Sequence, residues 1–321
     1  MLWLFFGLST LGMGLLRPWA MFFRQTGNPP RSCRFFGGFD LHEKKIAFGE
    51  LAEKLPTMAF LLKNPKLVSF WRYANIVVYK TYANLKSENE KTYLGCIWWI
   101  VEPIINTAVF YIVFTQILKN RQPNFTVFLY IGMVAYGYFS TAILTGANAI
   151  VLNAGIMQQI YMPKIVFVVI SMCNLTWKFL FSLVVLFPLL WLAHMSISWT
   201  YLALPLILFL QFWMVLGISM VLSTIIPYFP DGRTVLNTFV STFIWFSGVF
   251  YTIKSVPKQL QTIFYINPAA VIIEAYRSVL IHNEWPTWSH FAFFFPVGIF
   301  FWMIGWYILQ KIDRKVTKIN M

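Results

Sequence analysis

The chain has 321 residues, 59% of them hydrophobic and only 11% charged, and Lys and Arg exceed Asp and Glu by 14. Soluble domains carry about 25% charged residues, so this composition excludes an ordinary water-soluble fold and describes an integral membrane protein. The positive balance, which in a soluble protein would suggest nucleic acid, is accounted for by basic loops facing anionic headgroups, so no nucleic-acid partner is expected.

Taken in order, Met1 to Phe23 is largely apolar, but Arg17 interrupts it after sixteen residues, short of the roughly 20 that a span needs. No basic region precedes the run, which argues against a cleaved signal peptide. Arg24 to Pro65 mixes Gly, Pro and charge without periodicity, and a chain beginning at Met58 would keep every later element. Residues 1–65 are therefore read either as sequence ahead of the true start or as a dispensable extension. Residues 66–92 form an amphipathic helix, with Phe70, Trp71, Ala74, Val77, Val78, Tyr82 and Leu85 on one face and Lys66, Lys80, Lys86 and Lys91 on the other. Such a helix suits the membrane interface. It either anchors the first span or meets a phosphate-bearing lipid head through Arg72, Lys80 and Lys86.

Residues 93–321 are expected to hold six transmembrane helices: Ile97 to Leu118, with Trp98 and Trp99 as interfacial anchors, Phe125 to Val151, Ile165 to Ala193, Leu202 to Ile226, Leu236 to Ile253 and Phe291 to Leu309. The stretch between the fifth and sixth differs. Its two apolar pieces, Leu260 to Ile266 and Ala269 to Ile281, are too short to span, and Asn267 and Pro268 between them are an N-cap and first-turn pair. This reads as a re-entrant or interfacial helical hairpin. The fold class is thus an all-α integral membrane protein. With both ends inside, the inner segments hold 19 Lys and Arg against five outside, and setting aside the eight that precede Pro65 still leaves 11. The bias gives an N-in, C-in, multi-pass arrangement.

That orientation places the connection GANAIVLNAGIMQQIYMPK, Gly146 to Lys164, in the cytoplasm. Asn153, Ala154 and Gly155 break the preceding run, Pro163 stops any helix that reaches it, and about two turns fit between them. Ile156, Met157, Ile160 and Tyr161 share one face of such a helix, opposite Gln158 and Gln159. It is either a tight loop at the interface or a docking helix that passes force from a soluble partner.

No constellation for chemistry is visible. The chain has no phosphate-binding G-x-x-x-x-G-K-[ST], no H-E-x-x-H and no paired acids within a span, and His42, His194, His282 and His290 lie at ends and loops. Cys33, Cys96 and Cys173 make no C-x-x-C or metal spacing. The chain is therefore expected to be a non-enzyme that holds no cofactor. Glu102, beside Pro103, suits a helix N-terminal turn. Lys178 is halfway along the third span, where a cation costs roughly 2.5–3.5 kcal/mol. Ser171, Asn174 and Ser182 share its face, and this stripe either packs through hydrogen bonds or lines a hydrated channel. Aromatics such as Tyr138, Trp245 and Phe250 are lipid-facing filler or, if the channel carries sugar, flat apolar surfaces along which a polymer slides.

The order of parts, with the segment at Asn153 to Pro163, a second cytoplasmic turn carrying Asp231 and the hairpin YINPAAVIIEAYRSVL, resembles the transmembrane permease of polysaccharide exporters of the type-2 ABC transporter family, which move O-antigen, capsule or teichoic acid. The resemblance implies a homodimer in the bacterial cytoplasmic (inner) membrane that carries an ABC ATP-binding subunit, on which ATP and Mg are held. It makes Asn153, Ile156, Met157, Ile160, Tyr161 and Pro163 the coupling helix to that ATPase, and it makes the hairpin, with Asn267, Pro268, Glu274 and Arg277, an outer gate. The substrate would be a lipid-linked polysaccharide on a polyprenyl diphosphate whose head enters near the interfacial helix. The family often carries Arg-Asp at the second turn, where this chain has Pro230 before Asp231, leaving Asp231 as an N-cap for the fifth span. An exporter of lipids or small drugs from the same superfamily is the alternative, followed by a membrane-embedded glycosyl- or acyltransferase.

Overall fold

The computed structural model describes residues 65–119, 123–159, 162–195, 198–229 and 231–319, so the expected extension at 1–65 lies, apart from Pro65, outside the described residues. Among these residues every regular element is a helix. Two units separate at Gly95, and each is described by itself.

The first unit contains α1, Pro65–Glu90, whose limits lie within two residues of the helix expected over 66–92. At roughly 1.5 Å per residue it is nearly 40 Å long. Phe70, Trp71 and Tyr79 are exposed on it. Lys86 pairs with Glu90 at 3.7 Å, one turn on.

In the second unit, α2 (Trp98–Ile112) continues into a π-helical turn, Val113–Ile117. Then come α3 (Phe125–Ala147), α4 (Ala149–Leu152), α5 (Ala154–Gln159) and α6 (Lys164–Leu192). A 3-10 turn, Trp199–Ala203, leads into α7 (Leu204–Ile225). The chain closes with α8 (Gly232–Phe243), α9 (Lys258–Ile266), α10 (Pro268–Leu280) and α11 (Trp288–Ile319). Five segments are long and apolar enough to cross a membrane: Gly95–Ile117, Phe125–Ala147, Lys164–Leu192, Trp199–Tyr228 and Phe294–Lys311.

Several expected boundaries shift, each for a local reason. The second span ends at Ala147 because the Asn148 side chain turns back and donates to Leu144 O at 2.7 Å, competing with helix propagation. The largest difference is at Leu236 to Ile253. There α8 runs from Gly232 to Phe243, tightens into a 3-10 turn at Ile244–Phe246 and stops. Ser247 Oγ takes the Ile244 carbonyl at 2.6 Å, and Gly248 has φ +70°, a left-handed conformation that L side chains rarely adopt. The apolar run carries on through Val249, Phe250 and Tyr251 as irregular backbone and ends at Ile253, where a 3-10 turn, Ile253–Ser255, begins. The helical part is roughly 20 Å long, short of the ~30 Å apolar thickness of a bilayer.

The core centres on α3, the most deeply buried of the five apolar helices. It packs against α2, α6, α7, α8 and α10, and α7 also packs closely along α11. At Gly217 an added Cβ would stand 2.8 Å from Gly298 O, so these two helices approach almost backbone to backbone. Polar groups inside the core are joined to one another. Gln211, fully buried on α7, donates from Nε2 to Ala135 O at 3.0 Å and accepts from Tyr276 Oη at 3.0 Å, tying α3, α7 and α10 together.

Candidate functional site

The residues expected to form the coupling helix and the outer gate fall at the two ends of the α3–α8–α10 assembly. At one end, α3 gives way to α4 and α5. Asn153 sits in the turn between those short helices and donates from Nδ2 to Ala149 O at 2.8 Å. On α5, Ile156 and Met157 are half-buried, while Ala154, Gly155, Gln158 and Gln159 are exposed. Ile160 and Tyr161 lie outside the described residues. Pro163 is the N-cap of α6, and its carbonyl accepts from Val166 N–H at 3.0 Å. The main neighbour of α5 is α4, which itself packs on α6, α7 and the 3-10 turn Ile226–Tyr228. A short helix is thereby held out from the bundle on a firm base.

The same end receives the start of α8. Asp231 occupies the N-cap position, as expected, but its side chain makes no capping hydrogen bond; its backbone carbonyl accepts from Val235 N–H. Arg233, which sequence reasoning passed over except as a charge, donates from Nε to Asn148 Oδ1 at 2.7 Å.

At the opposite end, α10 grips the irregular segment that follows α8. Asn267 caps α10 as expected, its Oδ1 accepting from Ala269 N–H at 3.0 Å and Ala270 N–H at 3.4 Å, with Pro268 in the first turn. Its Nδ2 donates to Phe246 O at 2.8 Å. Arg277 is only 2% exposed. Its Nη1 donates to Gly248 O at 2.7 Å and to Tyr251 O at 3.4 Å, and its Nη2 donates to Val249 O at 2.7 Å and to Phe128 O at 3.3 Å. The guanidinium carbon lies 3.4 Å from the centre of the Phe128 ring. Glu274 lies three residues before Arg277 on the same helix. Glu274 itself is half-buried.

These contacts have one physical cause. Irregular backbone in an apolar environment leaves carbonyls without partners, and each unsatisfied group there costs several kcal/mol. Arg277 supplies several donors from one rigid plane and covers the turn at a stroke. Room for it comes from Gly132, where an added Cβ would lie 2.7 Å from Arg277 Nη2 and 3.0 Å from Val249 O.

The residues expected to line a channel are not gathered around one opening. Tyr138 is buried between α3 and α6, its hydroxyl 2.9 Å from Thr176 Oγ1 and its ring 4.8 Å from that of Phe179. Phe250 is also buried, packed by Phe110, Phe114 and Trp245 at 4.9 to 5.1 Å. Trp245 is exposed. Lys178 has its Nζ 5.6 Å from the centre of the Trp99 ring, and Ser182 Oγ donates to Trp99 O at 3.1 Å. That part of the α6 stripe packs through hydrogen bonds against the first turn of α2. Trp99, expected as an interfacial anchor, is thus engaged in helix packing beside Phe181. Asn174 Oδ1 is buried with no hydrogen-bond partner among the described residues. On the basic helix, Arg72 is exposed and Lys80 and Lys86 are half-buried.

One further surface stands out. On α8 only Gly232 and Val240 are buried, and Thr234, Asn237, Thr238, Ser241 and Thr242 are exposed together with Trp245 and Phe246. Val240 O accepts a hydrogen bond from Tyr136 Oη on α3, which fixes the opposite face inward. The exposed residues thus mix hydroxyls with apolar and aromatic side chains, Val235 and Phe239 among them, and Thr242 Oγ1 donates to Thr238 O at 2.9 Å.

Among the described residues no group of three or more His, Cys, Asp and Glu could hold a metal. Comparison with known proteins gives a consistent result. The chain is 23% identical over 247 residues to the O-antigen export system permease protein RfbA of Klebsiella pneumoniae, covering 76% of this chain and 95% of that protein. Polysialic acid transport protein KpsM of Escherichia coli is 24% identical over 213 residues, 64% of this chain and 83% of its own. The inner membrane transport permease YadH of Escherichia coli K12 is 23% identical over 226 residues, 66% of this chain and 87% of its own. The family model described as ABC-2 type transporter matches residues 76–281, which take in most of α1, the α4–α5 projection, α8 and the Arg277 clasp. A multi-pass helical protein with a projecting short helix at one end and a clasped turn at the other, this chain belongs to the ABC-2 type transporter family and is a transport protein rather than a catalytic one.

Proposed function

We propose that the chain is the transmembrane subunit of an ATP-driven exporter that moves a polyprenyl-diphosphate-linked polysaccharide, of the O-antigen or capsule kind, across the bacterial inner membrane. The observation that carries this reading is the similarity, along most of the chain, to permeases named for O-antigen export and polysialic acid transport. ATP and Mg are bound by a separate ABC subunit. The lack of any phosphate-loop motif in this chain supports that division of labour. The docking point is α5, whose projection from α4 and paired Ile156 and Met157 suit a groove on a soluble partner.

Two copies of the chain form the working unit. The exposed hydroxyl-rich face of α8 and the weakly buried α2 support this, since neither face is completed within one copy. In this reading the path lies between the copies, with Trp245 offering an aromatic surface to sugar. The fifth of six crossings is α8 extended by the irregular segment to Ile253, and α9 and α10 are a re-entrant hairpin on the far side. Both termini are cytoplasmic. Helix α1 lies in the interface, where Arg72, Lys80 and Lys86 meet the diphosphate of the incoming lipid.

The test is co-purification of the chain with the ABC subunit encoded beside it, followed by ATP hydrolysis and glycan-lipid export in proteoliposomes. I156D/M157D is expected to insert normally and to lose the partner; retained assembly would reject the docking role. If no ATP-binding subunit associates and deletion causes no glycan-lipid to accumulate, the proposal fails. YadH, whose name specifies no polysaccharide, supports a second reading as an exporter of lipids or small drugs, and the molecule that accumulates on deletion separates the two.

A further inference from the structure

Among the described residues, the joint between the α4–α5 projection and α8 is one side-chain hydrogen bond, from the exposed Arg233 to the buried Asn148. Asn148 is 8% exposed at the junction of α3 and α4. Its Nδ2 is engaged by Leu144 O at 2.7 Å and its backbone carbonyl accepts from Leu152 N–H at 2.9 Å, so its remaining acceptor, Oδ1, is aimed at Arg233. Arg233 is the second residue of α8, directly after a tight turn closed by Gly232 N–H donating to Phe229 O at 3.0 Å. At Gly232 a Cβ would come 2.7 Å from the Phe229 ring, so the first turn of α8 has little freedom to slip along the end of α7.

Beyond that turn, α8 is attached to its neighbours at few points. Tyr136 holds it at Val240 O, and Asn267 and Arg277 hold the segment at and beyond its end. Between the first turn and Val240 the helix presents exposed side chains. A displacement of α4 would therefore reach the first turn of α8 most directly through Asn148 and Arg233, while the far end stays clasped. The result would be a tilt of α8 about Val240 and Gly248, which swings its hydroxyl-bearing face.

We infer that Arg233 is a positioning residue that converts movement of the docking segment into tilting of α8, acting through its hydrogen bond to Asn148. The inference rests on α5 being the docking element and goes beyond it by naming how the motion is handed on. A charged donor on a neutral acceptor is a strong joint, yet one made of a single bond, so it can be removed without disturbing the core.

The experiment compares the wild-type complex with R233A, N148S and the double variant in proteoliposomes, recording partner retention, ATP hydrolysis and glycan exported per ATP. Each single variant is expected to keep the partner and to lower export per ATP about fivefold or more, the lower end of ordinary coupling between sites. The double variant should lose no more than either single one, because both break the same link. A second readout is ATP-dependent maleimide modification at T242C, located by peptide mass spectrometry. It should change with nucleotide in the otherwise wild-type complex and become insensitive to nucleotide when R233A is added. Export per ATP within about twofold of wild type, strictly additive losses, or unaltered nucleotide-sensitivity at T242C would overturn the link while leaving α5 as the docking element. A wild-type chain that binds no ABC subunit would instead overturn the docking reading, and this inference with it.

Discussion

Arg277 gathers the carbonyls of Gly248, Val249, Tyr251 and Phe128 around one guanidinium, and Gly132 is the space that lets it do so. R277M should therefore remove more than a contact: it strands several buried acceptors, at a cost of about 3–5 kcal/mol, measurable as lost stability to denaturant in detergent. R277K should recover only part of this, since an ammonium is a point donor and cannot serve several carbonyls from one plane. G132A should weaken the clasp from the other side by about 1–3 kcal/mol, because the new methyl meets Arg277 Nη2 and Val249 O. The sequence exposed the expense of Lys178 because an isolated cation in an apolar run is visible locally. It did not expose the burial of Arg277, whose partner Phe128 is 149 positions away and whose surroundings look like an outer loop. Gln211 is an intermediate case, since a lone amide in LILFLQFWMVL signals a buried hydrogen bond but not that it joins Ala135 to Tyr276.

Among the elements, α8 departs most from its expected form. Helices α6 and α7 begin and end within two residues of the predicted limits because continuous apolar runs between turn residues define them well. For α8 the apolar run continues past the point where the helix stops, and a hydropathy pattern does not register the left-handed backbone at Gly248. G248A should cost about 1–2 kcal/mol through that conformation alone. If the irregular segment matters for transport and not only for folding, G248A should also lower export per folded complex. N267A should cost about 1–2 kcal/mol, since it removes the cap of α10 together with the bond to Phe246 O. The α4–α5 projection was legible from Asn153 and Pro163, which punctuate it, whereas the tie to Arg233 was not, because nothing local pairs positions 148 and 233.

For the whole molecule, the informative surface is the one that a single copy leaves uncovered. Thr234 and Thr238 stand exposed on α8, and Thr242, whose hydroxyl donates to Thr238 O at 2.9 Å, continues the same face, which the proposed pairing of two copies would cover. T238C is accordingly expected to form a disulfide between two copies in oxidised membranes, seen as a species of twice the mass on non-reducing gels. A chain that remains monomeric under those conditions would count against the paired arrangement. Finally, the clasp on the carbonyls of Phe246 to Tyr251 carries a consequence for biosynthesis. Its donors, Asn267 and Arg277, are translated after the carbonyls they satisfy. The segment that follows α8 thus leaves the ribosome with acceptors whose native donors are not yet made, and it needs shelter until α10 arrives. A chain truncated before Asn267 should be inserted and then degraded within one pulse-chase interval, while a chain ending after Leu280 should persist, making the hairpin the checkpoint of membrane assembly.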